Sequence, residues 1–423
     1  MAELLIIADD LTGAIDTGVQ LSKQRLSSRV ILNPDSIKKF VYSDKLTTVL
    51  IVDINSRHSL PDIAAERIKQ VFEDIQGSAI KWLYKKTDST LRGNIGAELE
   101  AFIKGTDQIT LPFIPAHPKL NRMTRKGFQY IGNTLLHHTS FAEDPLEPVK
   151  SSYIPDILKR QTDINVLVSD AEGNPNSSSS GSQNKSIFIF DCQSENDLKG
   201  IGKYIFKQGW HKSIAGTAGM VEILPRIYKL ETSQVNYQIP KRPMLLVNGS
   251  LNKISADQVS YARNKGILSL SLSEFLLDDF NINNNIGNKH LIKQLNDAII
   301  AGLDVIINTS NIDMPDGGQN FTNSDLNKAH FENISKKIGL IITNILNEIN
   351  FGILCVFGGD TLGGIMNELG CESIKPQSEI IPGVALSLAY SKFGEISLIS
   401  KPGGYGEKDI ILKIINHFKL QSK

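Results

Sequence analysis

Leu4-Leu5-Ile6-Ile7-Ala8-Asp9-Asp10-Leu11-Thr12-Gly13-Ala14 is a short apolar run that breaks on two carboxylates and passes into a helix-like stretch. A run this apolar reads as a strand buried on both faces. It has no basic segment before it and meets Asp9 and Asp10 at once, so it is not a secretory signal. Outward from it the arrangement returns, with apolar runs at Thr48 to Val52, Ile80 to Tyr84, Ile109 to Leu111 and Ile187 to Phe190 separated by stretches of helical period. The alternation predicts α/β architecture with largely parallel strands and crossover helices. Ligands of such sheets bind beyond the carboxyl ends of strands. The residues found there are Asp9-Asp10, Asp53 to Arg57 and Lys85 to Asp88, all polar or charged clusters.

A chain of 423 residues exceeds what one hydrophobic core organises. The expectation is two α/β domains with mainly parallel sheets and an active-site cleft between them. Thr232 to Pro243 carries two prolines and few large apolar residues, and the run Met244 to Val247 restarts the pattern, so the domains are set at 1–235 and 243–423. Asp170 to Ser182, Asn281 to Asn288 and Asn311 to Asn323 are polar and read as loops. The 45 basic residues balance the 45 acidic ones, which excludes a long-range field for nucleic acid or membrane. The three cysteines fall at no metal-ligand spacing and suit a reducing, cytoplasmic compartment. No stretch approaches a membrane span.

In the N-terminal half, Asp9 and Asp10 stand where carboxylates could orient a hydroxyl, take its proton or hold a cation. One of them would equally serve as a helix cap. Arg57, Lys86 and Arg92 could supply donors to a carboxylate or a transferring phosphoryl group, with Asp88 beside them. Each basic residue alone would read as a solvated charge; their convergence after strands is what signals a site. Pro115, His117, Pro118, Asn121 and Arg122 follow the fourth run as a stiff loop, with His117 structural or catalytic alike.

The C-terminal half repeats a strand-to-turn pattern three times, at Val247-Asn248-Gly249-Ser250, at Phe357-Gly358-Gly359-Asp360-Thr361 and at Lys401-Pro402-Gly403-Gly404-Tyr405-Gly406. Small residues at such turns let backbone amides approach an anion. A lysine beside them, Lys401, adds the charge a triphosphate needs. The spacing of the P-loop is absent, so a nucleotide fold here is of another kind.

These ordered motifs (Ile7-Ala8-Asp9-Asp10-Leu11-Thr12-Gly13-Ala14, Lys86-Thr87-Asp88-Ser89-Thr90-Leu91-Arg92-Gly93-Asn94, Gly358-Gly359-Asp360-Thr361 and Lys401 to Gly406) resemble those of the four-carbon acid sugar kinases along nearly the full chain. The resemblance implies an N-terminal domain for a sugar acid such as threonate, erythronate or 3-oxo-tetronate, and a C-terminal domain for ATP with Mg2+. It assigns substrate contacts to Asp10, Arg57, Lys86, Asp88 and Arg92. Nucleotide contacts fall to Ser250, Ser255, Gly358, Gly359, Gly403, Gly404, Tyr405 and Gly406, with Asp10 or Asp360 as catalytic carboxylate. Four positions depart from the family's usual letters: Asn252 stands for a serine, Pro402 and Tyr405 for serine and phenylalanine, and Asn55 for glutamate.

The expected function is therefore phosphoryl transfer from ATP to a hydroxyl of a four-carbon sugar acid, with no nucleic-acid or membrane partner and a homodimer left open. A sensor that has kept the ligands and lost turnover is the alternative. A phosphatase is disfavoured because an aspartyl nucleophile would want its second aspartate two residues on, whereas Asp9 and Asp10 are adjacent.

Overall fold

The computed structural model describes residues 2–144, 147–174, 184–232, 239–250, 252–272, 286–309 and 324–421. The loop expected at 311–323 lies outside these residues, as do most of those at 170–182 and 281–288; residues 286–288 open a helix. The chain divides into two compact units, Met1–Val235 and Asn236–Lys423.

The first unit is built on β1 (Leu4–Ala8), β2 (Ser28–Ile31), β3 (Val49–Asp53), β4 (Trp82–Lys86), β5 (Thr110–Ile114), β6 (Arg122–Arg125), β7 (Phe128–Ile131), β8 (Thr134–Leu135), β9 (Asn165–Ser169), β10 (Ser186–Phe190) and β11 (Ser213–Gly216). Eight of these form a sheet in the order β2-β3-β1-β4-β11-β5-β10-β9, every pairing parallel. Every residue of β1 and β3 is buried, which is why these strands read as unbroken apolar runs instead of alternating ones. On one face, Leu5, Ile7, Leu50, Val52, Leu111 and Phe113 meet Ile68 and Val71 of helix Pro61–Asp74 and Leu99 and Phe102 of helix Ile95–Lys104. The chain leaves β1 toward β2 and β3 on one side and returns to β4 on the other. The carboxyl end of β1 is therefore a topological switch point, where neighbouring loops diverge and leave room for a ligand. Strands β6 to β8 form a small antiparallel sheet after β5.

Three boundaries are corrected. Strand β3 runs through Asp53 and β4 through Lys86, so Lys85 and Lys86 are strand residues with side chains on opposite faces instead of residues beyond the strand end. Strand β5 likewise extends to Ile114, and the loop beyond it begins at Pro115.

The second unit comprises β12 (Met244–Asn248), β13 (Leu268–Ser271), β14 (Val305–Asn308), β15 (Ile353–Phe357), β16 (Ser373–Ile381), β17 (Val384–Ser391) and β18 (Gly394–Lys401). The strands β13-β14-β12-β15-β18 are parallel, and β18-β17-β16 continue as an antiparallel meander. Ile411, Ile414, Ile415 and Phe418 of the last helix pack on Cys355, Phe357 and Ile399. No helix among the described residues is long and apolar enough to cross a membrane.

One glycine carries a close approach in the first sheet. Gly216 ends β11 between β4 and β5, and a Cβ there would run into the Ile114 carbonyl and stand 2.8 Å from the Tyr84 hydroxyl. That hydroxyl donates to the Thr217 carbonyl at 2.7 Å. Gly216→Ala is expected to cost about 1–3 kcal/mol in urea unfolding, the usual range for overpacking a close-packed interior. An unchanged midpoint would show that the sheet can spread at this point.

Candidate active site

The register of the first sheet sets Ala8 of β1 opposite both Asp53 of β3 and Lys86 of β4, so the next residues of each strand emerge on one edge. Asp10 ends the strand segment with extended backbone and caps helix Leu11–Lys23, accepting from the Gly13 N–H at 3.1 Å. The same carboxylate takes Arg57 through both oxygens, at 2.8 Å from Nη1 and 2.7 Å from Nη2. Arg57 Nε donates to Asp9 Oδ2 at 2.9 Å. One guanidinium thus spans two adjacent carboxylates, a fork that lysine has no geometry to make.

Lys86 lies on the other flank, its Nζ 3.8 Å from Asp9 Oδ1 and its side chain 6% exposed. A Cβ on Gly13 would collide with that ammonium, which places Lys86 over the first turn of the helix. Asp9 Oδ1 is buried and accepts no hydrogen bond. Burial works to raise the Asp9 carboxyl, yet Arg57, then Lys86 and Lys85, hold it below its ordinary value.

Asp53, missed as a site residue in the sequence, stands behind this pair. Its Oδ1 accepts from the Asn55 N–H at 2.9 Å, and burial, with Asp10 and Asp9 nearby, moves its carboxyl from 3.8 up to about 7. No sequence signal separates Asp53 from an ordinary strand-end aspartate, because the shift comes from burial and then from neighbours distant in the chain.

The expected substrate contacts divide into two groups. Asp10, Arg57 and Lys86 come together at the β1 edge. Asp88 and Arg92 form a second cluster, with Arg92 Nε on Asp88 Oδ2 at 2.6 Å and Arg92 Nη1 on Asp144 Oδ2 at 2.9 Å. Thr90 Oγ1 also donates to Asp88, and Phe141 lies 5.4 Å beneath the Arg92 guanidinium. Burial notwithstanding, Arg92 and Arg57 keep the Asp88 carboxyl well below its ordinary value. Arg92 is thus engaged by two carboxylates and a ring, which suits a wall of the site better than the open receptor of a substrate carboxylate. His117 packs against Gly219 with its imidazole buried, and that burial brings it down to about 4, so it is neutral near pH 7. Asp10 likewise differs from the expected base, because its two oxygens already accept three N–H donors.

In the second unit Asn248, Phe357 and Lys401 stand side by side at the ends of β12, β15 and β18, so all three glycine-bearing turns leave one edge. They are packed against one another. A Cβ on Gly249 would strike Thr361, and one on Gly403 would strike Ser250. Gly358, at φ +109°, and Gly359 open helix Gly359–Glu368, with Asp360 exposed in its first turn. Ser255 is buried and its Oγ donates to the Gly403 carbonyl at 2.6 Å, so it shapes the loop from beneath. Gln258 does the same for the carbonyls of Tyr405, at 3.0 Å, and Gly406, at 2.9 Å. The Tyr405 ring rests on Gly383.

The expectation for Lys401 is corrected. Its ammonium turns back into its own loop, donating to the carbonyls of Pro402 at 2.8 Å, Gly403 at 3.1 Å and Tyr405 at 2.9 Å, and lies 4.4 Å over the Phe357 ring. In a trans peptide the N–H points opposite to the C=O. Drawing these three carbonyls inward therefore turns the N–H groups of Gly403, Gly404 and Gly406 away from Lys401. N–H groups turned outward in this way are the donors an anion would meet. Burial brings the Lys401 amine down to about 8.

A family model described as a sugar-binding N-terminal domain matches residues 4–224, and one described as a nucleotide-binding C-terminal domain matches residues 245–411. A D-threonate kinase of Salmonella typhimurium is 26% identical over 96% of this chain and 95% of its own length. A D-erythronate kinase of Heliobacterium modesticaldum is 23% identical over 99% and 97%. A 3-oxo-tetronate kinase of Haemophilus influenzae is 22% identical over 96% and 97%. Among solved structures, one from Salmonella typhimurium LT2 described as a putative tRNA synthase superposes with a TM-score of 0.74 at 17% identity, covering 98% of this chain and 99% of that one. A Haemophilus influenzae protein superposes at 0.67 with 18% identity over 98% and 100%. Both show the fold.

Two outcomes follow from the site. Between about pH 4 and 7 the folded protein holds a proton on Asp53 that the unfolded chain has released, so this group's contribution to stability falls as pH rises through that window. Asp53→Asn, compared with the parent in urea at pH 5 and pH 8, should gain relative stability toward pH 8, by about 3 kcal/mol at most; a pH-independent difference would reject the shift. In the second unit, Lys401→Met should leave three carbonyls without their donor and abolish the thermal shift produced by ATP. A shift equal to the parent's would show that the loop holds its shape unaided.

Proposed function

The chain belongs to the four-carbon acid sugar kinases, and from that membership we propose that it transfers a phosphoryl group from ATP to a hydroxyl of threonate, erythronate or 3-oxo-tetronate. The observation that carries the reading is the forked contact of Arg57 with Asp9 and Asp10 beside Lys86 at the switch point. Phosphoryl transfer needs positioning and charge neutralisation more than covalent chemistry. Carboxylates accept hydroxyl protons, so Asp9 and Asp10 favour a polyhydroxy ligand over a simple anion. Asp9 Oδ1 accepts no hydrogen bond, whereas the Asp10 oxygens already hold three donors from Arg57 and Gly13. Asp9 is accordingly the better candidate to orient the accepting hydroxyl and receive its proton, with Asp10 anchoring Arg57. Lys86, over the first turn of a helix whose leading amides point outward, suits the negative end of the acid.

The second unit supports ATP through the amides of Gly403, Gly404 and Gly406 and the turns at Gly249-Ser250 and Gly358-Gly359. Among the described residues no three acidic, histidine or cysteine side chains gather as a metal site. Magnesium would be held chiefly by the phosphates of the nucleotide, as that ion commonly is, with Asp360 the carboxylate at hand. It would supply charge neutralisation on the transferring group.

The deciding measurement is ATP-coupled turnover across the three acids. Turnover with at least one is expected. Binding of acid and ATP without turnover would make the chain a sensor instead. Lys86→Met should weaken acid binding by tenfold to a hundredfold or so, the worth of a charge-assisted hydrogen bond, and leave ATP binding intact. Calorimetry giving the parent's acid affinity in a folded Lys86→Met protein would remove Lys86 from the site.

A further inference from the structure

Arg57 and Lys86 are each preceded by a residue that points the other way. Ser56 and Lys85 face into the protein, and both converge on Glu98 of helix Ile95–Lys104. Ser56 Oγ donates to Glu98 Oε1 at 2.5 Å, and Lys85 Nζ stands 2.9 Å from Glu98 Oε2. Lys85 Nζ also donates to the Lys86 carbonyl at 2.7 Å. Ser56 and Lys85 are 0% exposed and Glu98 is 1% exposed, so the ion pair is removed from water. The Arg57 loop is held by further bonds, from the Ser56 N–H to the Asp9 carbonyl at 3.0 Å and from Asn94 Nδ2 to the Ser56 and Ser59 carbonyls at 2.9 and 2.7 Å.

A buried ion pair is a poor way to gain stability, because desolvating both charges offsets their attraction, and apolar side chains of similar size often do as well or better. What apolar side chains lack is direction. Glu98 has one oxygen for the loop that carries Arg57 and the other for the strand that carries Lys86. Its carboxylate therefore sets the spacing between two main chains whose next residues reach the site.

We propose that Glu98, with Lys85 and Ser56, is a positioning network that fixes Arg57 relative to Lys86 and thereby the shape of the sugar-acid site. This rests on the reading of Arg57 and Lys86 as sugar-acid contacts. None of the three touches the substrate.

The test replaces the whole network at once, so that no member is left buried without its partner: Ser56→Ala, Lys85→Met and Glu98→Met in one full-length protein. A packing role alone would survive this change. The expected result is a melting temperature near the parent's, unchanged ATP-induced thermal shift, and kcat/KM for the acid lowered roughly a hundredfold, the scale on which small misplacement of binding groups acts. A triple variant with the parent's kcat/KM overturns the proposal. Should the triple variant fail to fold, Ser56→Ala alone decides, since it leaves the Lys85–Glu98 pair intact: the acid KM should rise at least about threefold, on the order of one neutral hydrogen bond, and an unchanged KM overturns the proposal. A parent protein that turns over none of the acids overturns the functional reading and this role together, whereas turnover by the parent alongside an undiminished variant overturns this role only.

Discussion

The guanidinium of Arg57, shared between two adjacent carboxylates at the end of β1, is the contact on which the first unit's site depends. Asp10 joins it to the first turn of helix Leu11–Lys23, and Asp9 joins it to the strand end. Side chains at successive positions normally diverge, and they converge here because β1 ends at Ala8 and the helix begins at Leu11. Both carboxylates need the cation. Without it Asp9, Asp10 and Asp53 would be three acids at one buried edge, and removal of one partner from a buried pair costs about 3–5 kcal/mol. The upward displacement of Asp53 comes first from its burial and then from Asp10 and Asp9: even with Arg57 in place, a third negative charge at this buried edge is resisted.

The second unit handles charge in another way. Its lysine is directed at backbone oxygens, and the amides on the far edges of the same peptide planes are turned away from it. Such a loop needs glycine where Ser250 crowds Gly403, and it tolerates Pro402 because that residue contributes its carbonyl and no N–H. The serine and phenylalanine usual in the family at 402 and 405 are therefore not what shapes this loop; Ser255 and Gln258 hold it from below.

Much of this was legible in the sequence, for physical reasons. Strands β1, β3, β10, β12 and β15 are buried along their whole length, so their apolar runs stand out. By contrast β11 is Ser-Ile-Ala-Gly, four residues with one large apolar side chain and a glycine where Ile114 and Tyr84 press close, and that shortness hid it. The polar clusters were found from their place after strands, but which members face the ligand was not. Lys85 and Lys86 are alike as letters and opposite in role, since the pleat sends one to Glu98 and the other to Asp9. Lys401 looked like a phosphate ligand because the direction of a lysine is set by the carbonyls around it, which no motif records. Glu98 lay unmarked inside an amphipathic helix.

Charge balance bears on selectivity. At the β1 edge Asp9 and Asp10 are matched by Arg57 and Lys86, and close by Arg92 stands between Asp88 and Asp144. With Asp53 protonated, the edge has no net positive field with which to gather anions. On the proposed reading an acid must then be recognised by directed hydrogen bonds. A simple carboxylate gains Lys86 and is repelled by Asp9, while an acid that also carries hydroxyls can donate to Asp9 and offset that repulsion. The aspartates thus act as the repulsive element of the site. They would disfavour acids without hydroxyls more strongly than they favour any one arrangement of them, so a narrow choice among four-carbon acids has to come from the walls of the site.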